Sequence, residues 1–341
     1  MILLGQFHIL LAQAMQGMPG MDDMPGMDHG ADATLATIFD VLVLSRWLHF
    51  ATVFILFGSS FFWLTVGRPA PGQDARGLPC AQRATVRLLS IAAPLAALSG
   101  LGWLLGMLAN MTGGFGRAID PENLRLFFFE TAFGPVWTLR LILLAAATIT
   151  ALSPLRNHIR FAILGHAGAL LLISQAWLGH AAEGGSDFYG VLMISVYCVH
   201  VCAGGAWVGG LPPLTLAMFE TRPAGPEASR LETYEILARY STMASIAVTL
   251  IVLSGIANAW FRTAGSFGIL VHASYGAVLL AKIILVTTML ALAAFNRFIA
   301  MPKLRQGAPA SRLRASVLIE LGLGTLVLAA AAVLGITPPP Q

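Results

Sequence analysis

Eight stretches of predominantly apolar residues run through the chain, at roughly 37–66, 88–110, 136–153, 161–180, 190–218, 242–261, 275–296 and 316–336. About 20 such residues in a row cross the hydrocarbon core of a bilayer as a helix. In that core every backbone N–H and C=O has to be satisfied within its own segment, so runs of this length leave little choice of fold. They predict an all-α, polytopic transmembrane bundle of eight helices. Charged residues are only 11% of the chain, against about 25% in soluble domains, which excludes an ordinary soluble enzyme or binding module. Turn-forming sequences mark the joints: Gly67-Arg68-Pro69-Ala70-Pro71-Gly72, Ser153-Pro154, Arg222-Pro223-Ala224-Gly225-Pro226 and Thr337-Pro338-Pro339-Pro340.

Lysines and arginines in the loops orient the bundle. Fourteen fall after the odd-numbered runs and three, Arg117, Arg125 and Arg262, on the opposite side. The asymmetry predicts that both termini face away from the cytoplasm. It also accounts for the net charge of +4 as a topology signal, so nucleic acid is not an expected partner. Arg46, Arg140 and Lys282 lie inside the runs themselves.

Three segments follow from this pattern. Residues 1–14, MILLGQFHILLAQA, read as an apolar leader or signal segment that ends in Ala12-Gln13-Ala14. Residues 15–36 read as a disordered arm outside the cytoplasm, rich in Gly, Pro and Asp. Residues 37–337 are the membrane domain. In the arm Met15, Met18, Met21, Met24 and Met27 recur every third residue and the run closes on His29. Period three fits neither a helix face nor a strand face. Soft thioethers select Cu(I) and carry no proton to lose, so the arm reads as a copper-collecting segment, assisted by His29. The bland alternative is a low-complexity tail.

Ionisable side chains at membrane depth are costly and mark function by default. The first run carries Arg46 and His49, which at i and i+3 share a face. The fourth carries His166 and ends at His180; Glu183, Asp187 and His272 fall at the outer mouth. The fifth contains Cys198 and Cys202 on one face, with Met193 and His200 on another. A descending path of metal ligands can be drawn from the methionine arm through His180 to His49, His200 and Met193. His272 and His166 are further candidates, as is the Cys198/Cys202 pair, which equally reads as small residues packing a helix interface. Arg46, Glu183, Asp187 and Lys282 support the path; Lys282 and Glu320 also read as structural partners. The paired glycines in Ala203-Gly204-Gly205-Ala206-Trp207-Val208-Gly209-Gly210 most simply let helices approach closely.

Several of these stretches resemble the bacterial copper-resistance protein D (CopD) family. They are Trp47-Leu48-His49-Phe50, Gly179-His180-Ala181, His200-Val201-Cys202-Ala203-Gly204-Gly205, Ser254-Gly255-Ile256-Ala257-Asn258-Ala259 and the C-terminal run from Tyr275 through Lys282 to Asn296-Arg297 and Glu320. The resemblance spans residues 37–337. It implies an eight-helix inner-membrane protein that handles periplasmic copper and imports it, with His49, His180 and His200 as the matching histidines. Copper, as Cu+ or Cu2+, is then the expected ligand. The lipid bilayer, a periplasmic copper chaperone and a second copy of the chain are the expected partners. A transporter rather than an enzyme is the leading expectation, and with no nucleotide-binding motif in the sequence the movement is expected to be passive, ion-coupled or a handover to another membrane protein. A haem b-binding membrane oxidoreductase, related to porphyrinogen oxidases and using His49 and His200 as axial ligands, is the rival. An assembly factor for a copper enzyme is a third reading.

Overall fold

The computed structural model describes residues 29–67, 78–178, 187–220, 226–263 and 274–337, and among these the chain is all-α. Eight helical segments are long and apolar enough to cross a membrane: Thr34–Thr65, Pro79–Thr112, Phe133–Leu152, Asn157–Leu178, Phe188–Phe219, Leu231–Phe261, Tyr275–Arg305 and Ser311–Leu334. They match the eight apolar runs one for one. The helices overrun the runs where an amphipathic turn continues past the apolar stretch. The second starts nearer Arg83 and Arg87, and the sixth takes in Glu232, Glu235 and Arg239.

Helix α1 is His29–Thr65, α2 is Pro79–Thr112, α5 is Phe133–Leu152 and α6 is Asn157–Ser174, extended by a 3-10 turn Gln175–Leu178. Between α2 and α5 lie two short helices, α3 (Phe115–Ala118) and α4 (Pro121–Glu130). The latter begins where the Asp120 carboxylate accepts the Glu122 N–H at 3.0 Å, with Pro121 at the first helical position. The fifth span is broken into α7 (Phe188–Val208) and α8 (Leu211–Phe219); α9 is Pro226–Thr263 and α10 is Ser274–Phe295. A π-helical turn, Asn296–Ala300, joins α10 to α11 (Met301–Arg305), and α12 is Ser311–Leu334.

Helix α1 is the hub, packed by α2, α6, α7, α8 and α12. Glycines let it make these contacts backbone to backbone. A methyl at Gly58 would collide with the Gly205 carbonyl and the Gly209 backbone, and one at Gly209 would collide with the Phe54 carbonyl. Small residues at a crossing are how helices associate in a medium that offers no hydrophobic drive between them. The glycine pairs therefore act in packing.

The break between α7 and α8 has a plain cause. Pro212 and Pro213 have no N–H to give the carbonyls one turn back. Ser59 Oγ donates to the Gly209 carbonyl at 3.2 Å, and Tyr240 OH donates to the Trp207 carbonyl at 2.6 Å. Ser59 of α1 thus replaces the bond that Pro213 removes, and Tyr240 of α9 serves a further carbonyl at the break. At the far end of α8, Glu220 accepts the N–H groups of Cys80 and Ala81 at 3.2 and 2.9 Å, placing a carboxylate on the positive end of α2.

Candidate functional site

The most concentrated polar chemistry inside the bundle surrounds His49. Its ring is fully buried. Nδ1 lies 2.9 Å from the Ala96 carbonyl of α2, and Nε2 lies 2.6 Å from Arg140 Nη2 of α5. A carbonyl can only accept and a guanidinium can only donate, so Nδ1 carries the proton and Nε2 supplies the lone pair. Small residues make this possible: a Cβ at Gly100 would press on the His49 ring.

Arg140 is also fully buried. Its Nη1 donates to the Leu171 carbonyl at 2.8 Å and to Ser174 Oγ at 2.7 Å, where α6 ends. The guanidinium carbon stands 5.0 Å from the centroid of the Trp103 ring and 5.3 Å from that of Trp137. The Arg46 carbon stands 4.7 Å from Trp103 and 5.4 Å from Phe50. Two guanidiniums therefore share one indole, and each keeps an Nε–H without a hydrogen-bond partner. Tyr197 of α7 lies in electrostatic range of both. Arg46 also packs against Gly335, at the C-terminal end of α12, where helix carbonyls favour a cation. With Arg46 level with that end, His49 lies less than about 5 Å deeper along α1, at 1.5 Å per residue. This is a buried, cationic cluster.

His200 stands in a different setting. It is half-buried on α7 and faces α9, where its ring meets Gly255 and Nδ1 lies 3.0 Å from Ser254 Oγ. Ser254 donates its own proton to the Leu250 carbonyl at 2.5 Å, so its oxygen accepts the Nδ1–H of His200. The lone pair then sits on Nε2. A ring fixed through Nδ1–H with Nε2 as the donor atom is the arrangement that metal-binding histidines use. Lys282 of α10 lies in electrostatic range of the same ring.

The remaining sequence-selected residues distribute as follows. Met193 is half-buried on α7, two turns before His200. Cys198 faces α6, with Sγ 3.9 Å from the Ile173 carbonyl, and Cys202 packs against the apolar core on the same face. His166 is exposed on α6 and is bonded to its own helix at the Ala162 carbonyl, 2.7 Å away. Asp187 caps α7, accepting the Gly190 N–H at 2.8 Å. Glu320 is buried on α12 and accepts from Asn296. His29 opens α1. Met15, Met18, Met21, Met24, Met27, His180, Glu183 and His272 lie outside the described residues, as does the leader 1–14. Among the described residues no three His, Cys, Asp or Glu side chains gather into a ready-made metal cage. The partners of His49 lie on α2 and α5, and those of His200 on α9 and α10.

Arg140 is the residue that sequence reading passed over. An arginine in the apolar run Val136-Trp137-Thr138-Leu139-Arg140-Leu141 was a signal in itself, since charge at that depth needs partners. Its partners come from three other helices.

Residues 35–191 match the family model of the copper resistance protein D-like N-terminal domain, and residues 234–334 match that of copper resistance protein D. Copper resistance protein D of Pseudomonas syringae pv. tomato is 28% identical over 308 residues, 86% of this chain and 95% of that protein. Copper transport protein CutJ of Bacillus subtilis (strain 168) is 32% identical over 238 residues, 68% of this chain; the chain spans only 42% of CutJ. Inner membrane protein YebZ of Escherichia coli (strain K12) is 28% identical over 264 residues, 76% of this chain and 84% of that protein. No solved structure matches the chain.

Proposed function

This chain belongs to the copper resistance protein D family, and we propose that it carries copper ions inward across the bacterial inner membrane. In this reading both termini face the periplasm, as the fourteen-to-three loop charge asymmetry favours. The methionine arm of residues 15–29 captures copper and raises its local concentration at the outer mouth. His180 and the acidic residues around it receive the ion, and a periplasmic copper chaperone is the natural donor.

The observation that carries the proposal is the presentation of His200. Its tautomer is set by Ser254, its Nε2 lone pair is left for a ligand, and it stands two turns before the break between α7 and α8. Discontinuous spans are where membrane carriers bind and release ions, because freed backbone groups and mobile half-helices meet there. Neutral imidazole and thioether ligands hand over Cu(I) without a proton exchange at each step. His49 enters this path as a gate post: a copper ion reaches its Nε2 only if Arg140 swings away.

The test is copper accumulation in cells. His200→Ala abolishes it at equal protein level, whereas deletion of residues 15–29 leaves the maximal rate and raises the copper concentration required. Wild-type accumulation by His200→Ala would overturn the central path.

A further inference from the structure

A second polar centre lies on the other side of the helix break. A half-open cavity of about 40 Å³ lies between α7, α8, α9, the π turn and α12, with Tyr240, Ser241, Asn296, Arg297 and Glu320 as its polar lining. Room for one water needs roughly 10–15 Å³ on this measure, so the cavity can hold water. Glu320 is 4% exposed and Asn296 is 8% exposed. Asn296 Nδ2 donates to Glu320 Oε1 at 2.5 Å, and Asn296 Oδ1 is buried with no hydrogen-bond partner. The π turn begins at Asn296 itself, and such turns concentrate at functional positions.

We infer that Glu320 and Asn296 form a reversible proton-binding site, fed by water in this cavity, and that the unpartnered Asn296 oxygen is the acceptor for the proton-loaded state. The reasoning is one of hydrogen-bond inventory. A carboxylate only accepts and is served by the amide N–H of Asn296, as found. A carboxylic acid has one O–H to donate and needs an acceptor. Rotating the Asn296 carboxamide by half a turn presents Oδ1 to that O–H, so a single side chain serves both states. In the step, the water beside Glu320 gives a proton to its carboxylate oxygen and takes one from water on the solvent side, so an O–H bond forms at Glu320, the carboxyl becomes neutral and the water is restored. Unloading is the reverse.

The surroundings favour a proton over a metal ion. Arg297 shares the cavity, held by Ser241 Oγ at 2.9 Å and Ser245 Oγ at 3.0 Å, and its fixed positive charge repels a divalent ion more strongly than a proton. Hard divalent cations also want six or more oxygens, and the cavity brings one carboxylate and one carboxamide. Glu320, Tyr240 and Arg297 are the titratable or charged groups lining it among the described residues. Tyr240 spends its proton on the Trp207 carbonyl at the helix break, which ties the site to the segment that carries His200. The site itself does not depend on the copper reading.

The test is infrared difference spectroscopy of the full chain in lipid nanodiscs, stepped in pH, with carbon-13 glutamate to identify the band. The wild type shows a protonated-carboxyl C=O band that titrates reversibly and disappears in Glu320→Gln. Asn296→Leu keeps the band and raises its proton affinity about tenfold, because the charge-assisted hydrogen bond to the carboxylate that is lost is stronger than the neutral one lost from the acid. Glu320→Asp, with its shorter reach, retains a shifted band and guards against misfolding of the glutamine variant. Identical spectra for wild type and Glu320→Gln would overturn the inference. So would an Asn296→Leu protein that titrates as the wild type does.

Discussion

Replacing His49 probes the buried cluster most sharply. In the folded protein the imidazole gives Arg140 Nη2 an acceptor at 2.6 Å, in a place that water does not reach. His49→Ala removes that acceptor and leaves a donor of a buried guanidinium unpaired. A hydrogen bond to a charged group contributes about 1.5–3 kcal/mol. Leaving a buried donor unsatisfied costs about 1–3 kcal/mol, and more when the group is charged. The ring's lost contacts with Trp103, 5.6 Å away centroid to centroid, add to this. A fall of about 4 kcal/mol is therefore expected, which is nearly a thousandfold in the unfolding equilibrium. His49→Gln restores an oxygen that can accept from Arg140 and recovers at least half of the loss. The assay is denaturant unfolding in detergent micelles, followed by tryptophan fluorescence, since Trp103 and Trp137 flank the guanidiniums. If His49→Ala unfolds at the wild-type midpoint, His49 does not hold Arg140. If glutamine is as damaging as alanine, the acceptor is not what matters.

Four other outcomes are expected. Ser254→Ala frees the His200 ring to rotate and weakens copper binding about 10–100-fold, read by competition against a copper chelator, while the fold is retained. Gly209→Ala drives a methyl into the Phe54 carbonyl and costs at least about 1–3 kcal/mol as overpacking, seen as loss of monodisperse protein. Gly322→Ala, where nothing lies within 4 Å, behaves as wild type in the same assay. Removing residues 15–29 raises the half-saturating copper concentration of accumulation with no change in its maximum.

The eight spans could be read from the sequence because the bilayer imposes one rule on every segment, and about 20 apolar residues satisfy it. The glycine pairs at 204–205 and 209–210 were equally open, because close helix approach needs missing side chains. Helix ends were less so: hydropathy sees the part in hydrocarbon, not the turns that continue past it near Arg83 or Glu235. The cap of α4 was written in Asp120-Pro121-Glu122, though its apolar neighbours hid it. Arg140 was visible as a charge in a membrane run, but its role came from His49, Leu171 and Ser174 on other helices, which no local pattern reveals. The same holds for Asn296 and Glu320, 24 positions apart in sequence and joined by a hydrogen bond. Asn296 carries no sequence mark of the π turn that begins there.

Copper flux into proteoliposomes loaded with a Cu(I) chelator addresses the central claim most directly, with wild type and His200→Ala reconstituted at equal density. Wild-type vesicles fill with copper and His200→Ala vesicles fill at least tenfold more slowly, with the protein still folded. Equal rates in the two preparations would contradict the account.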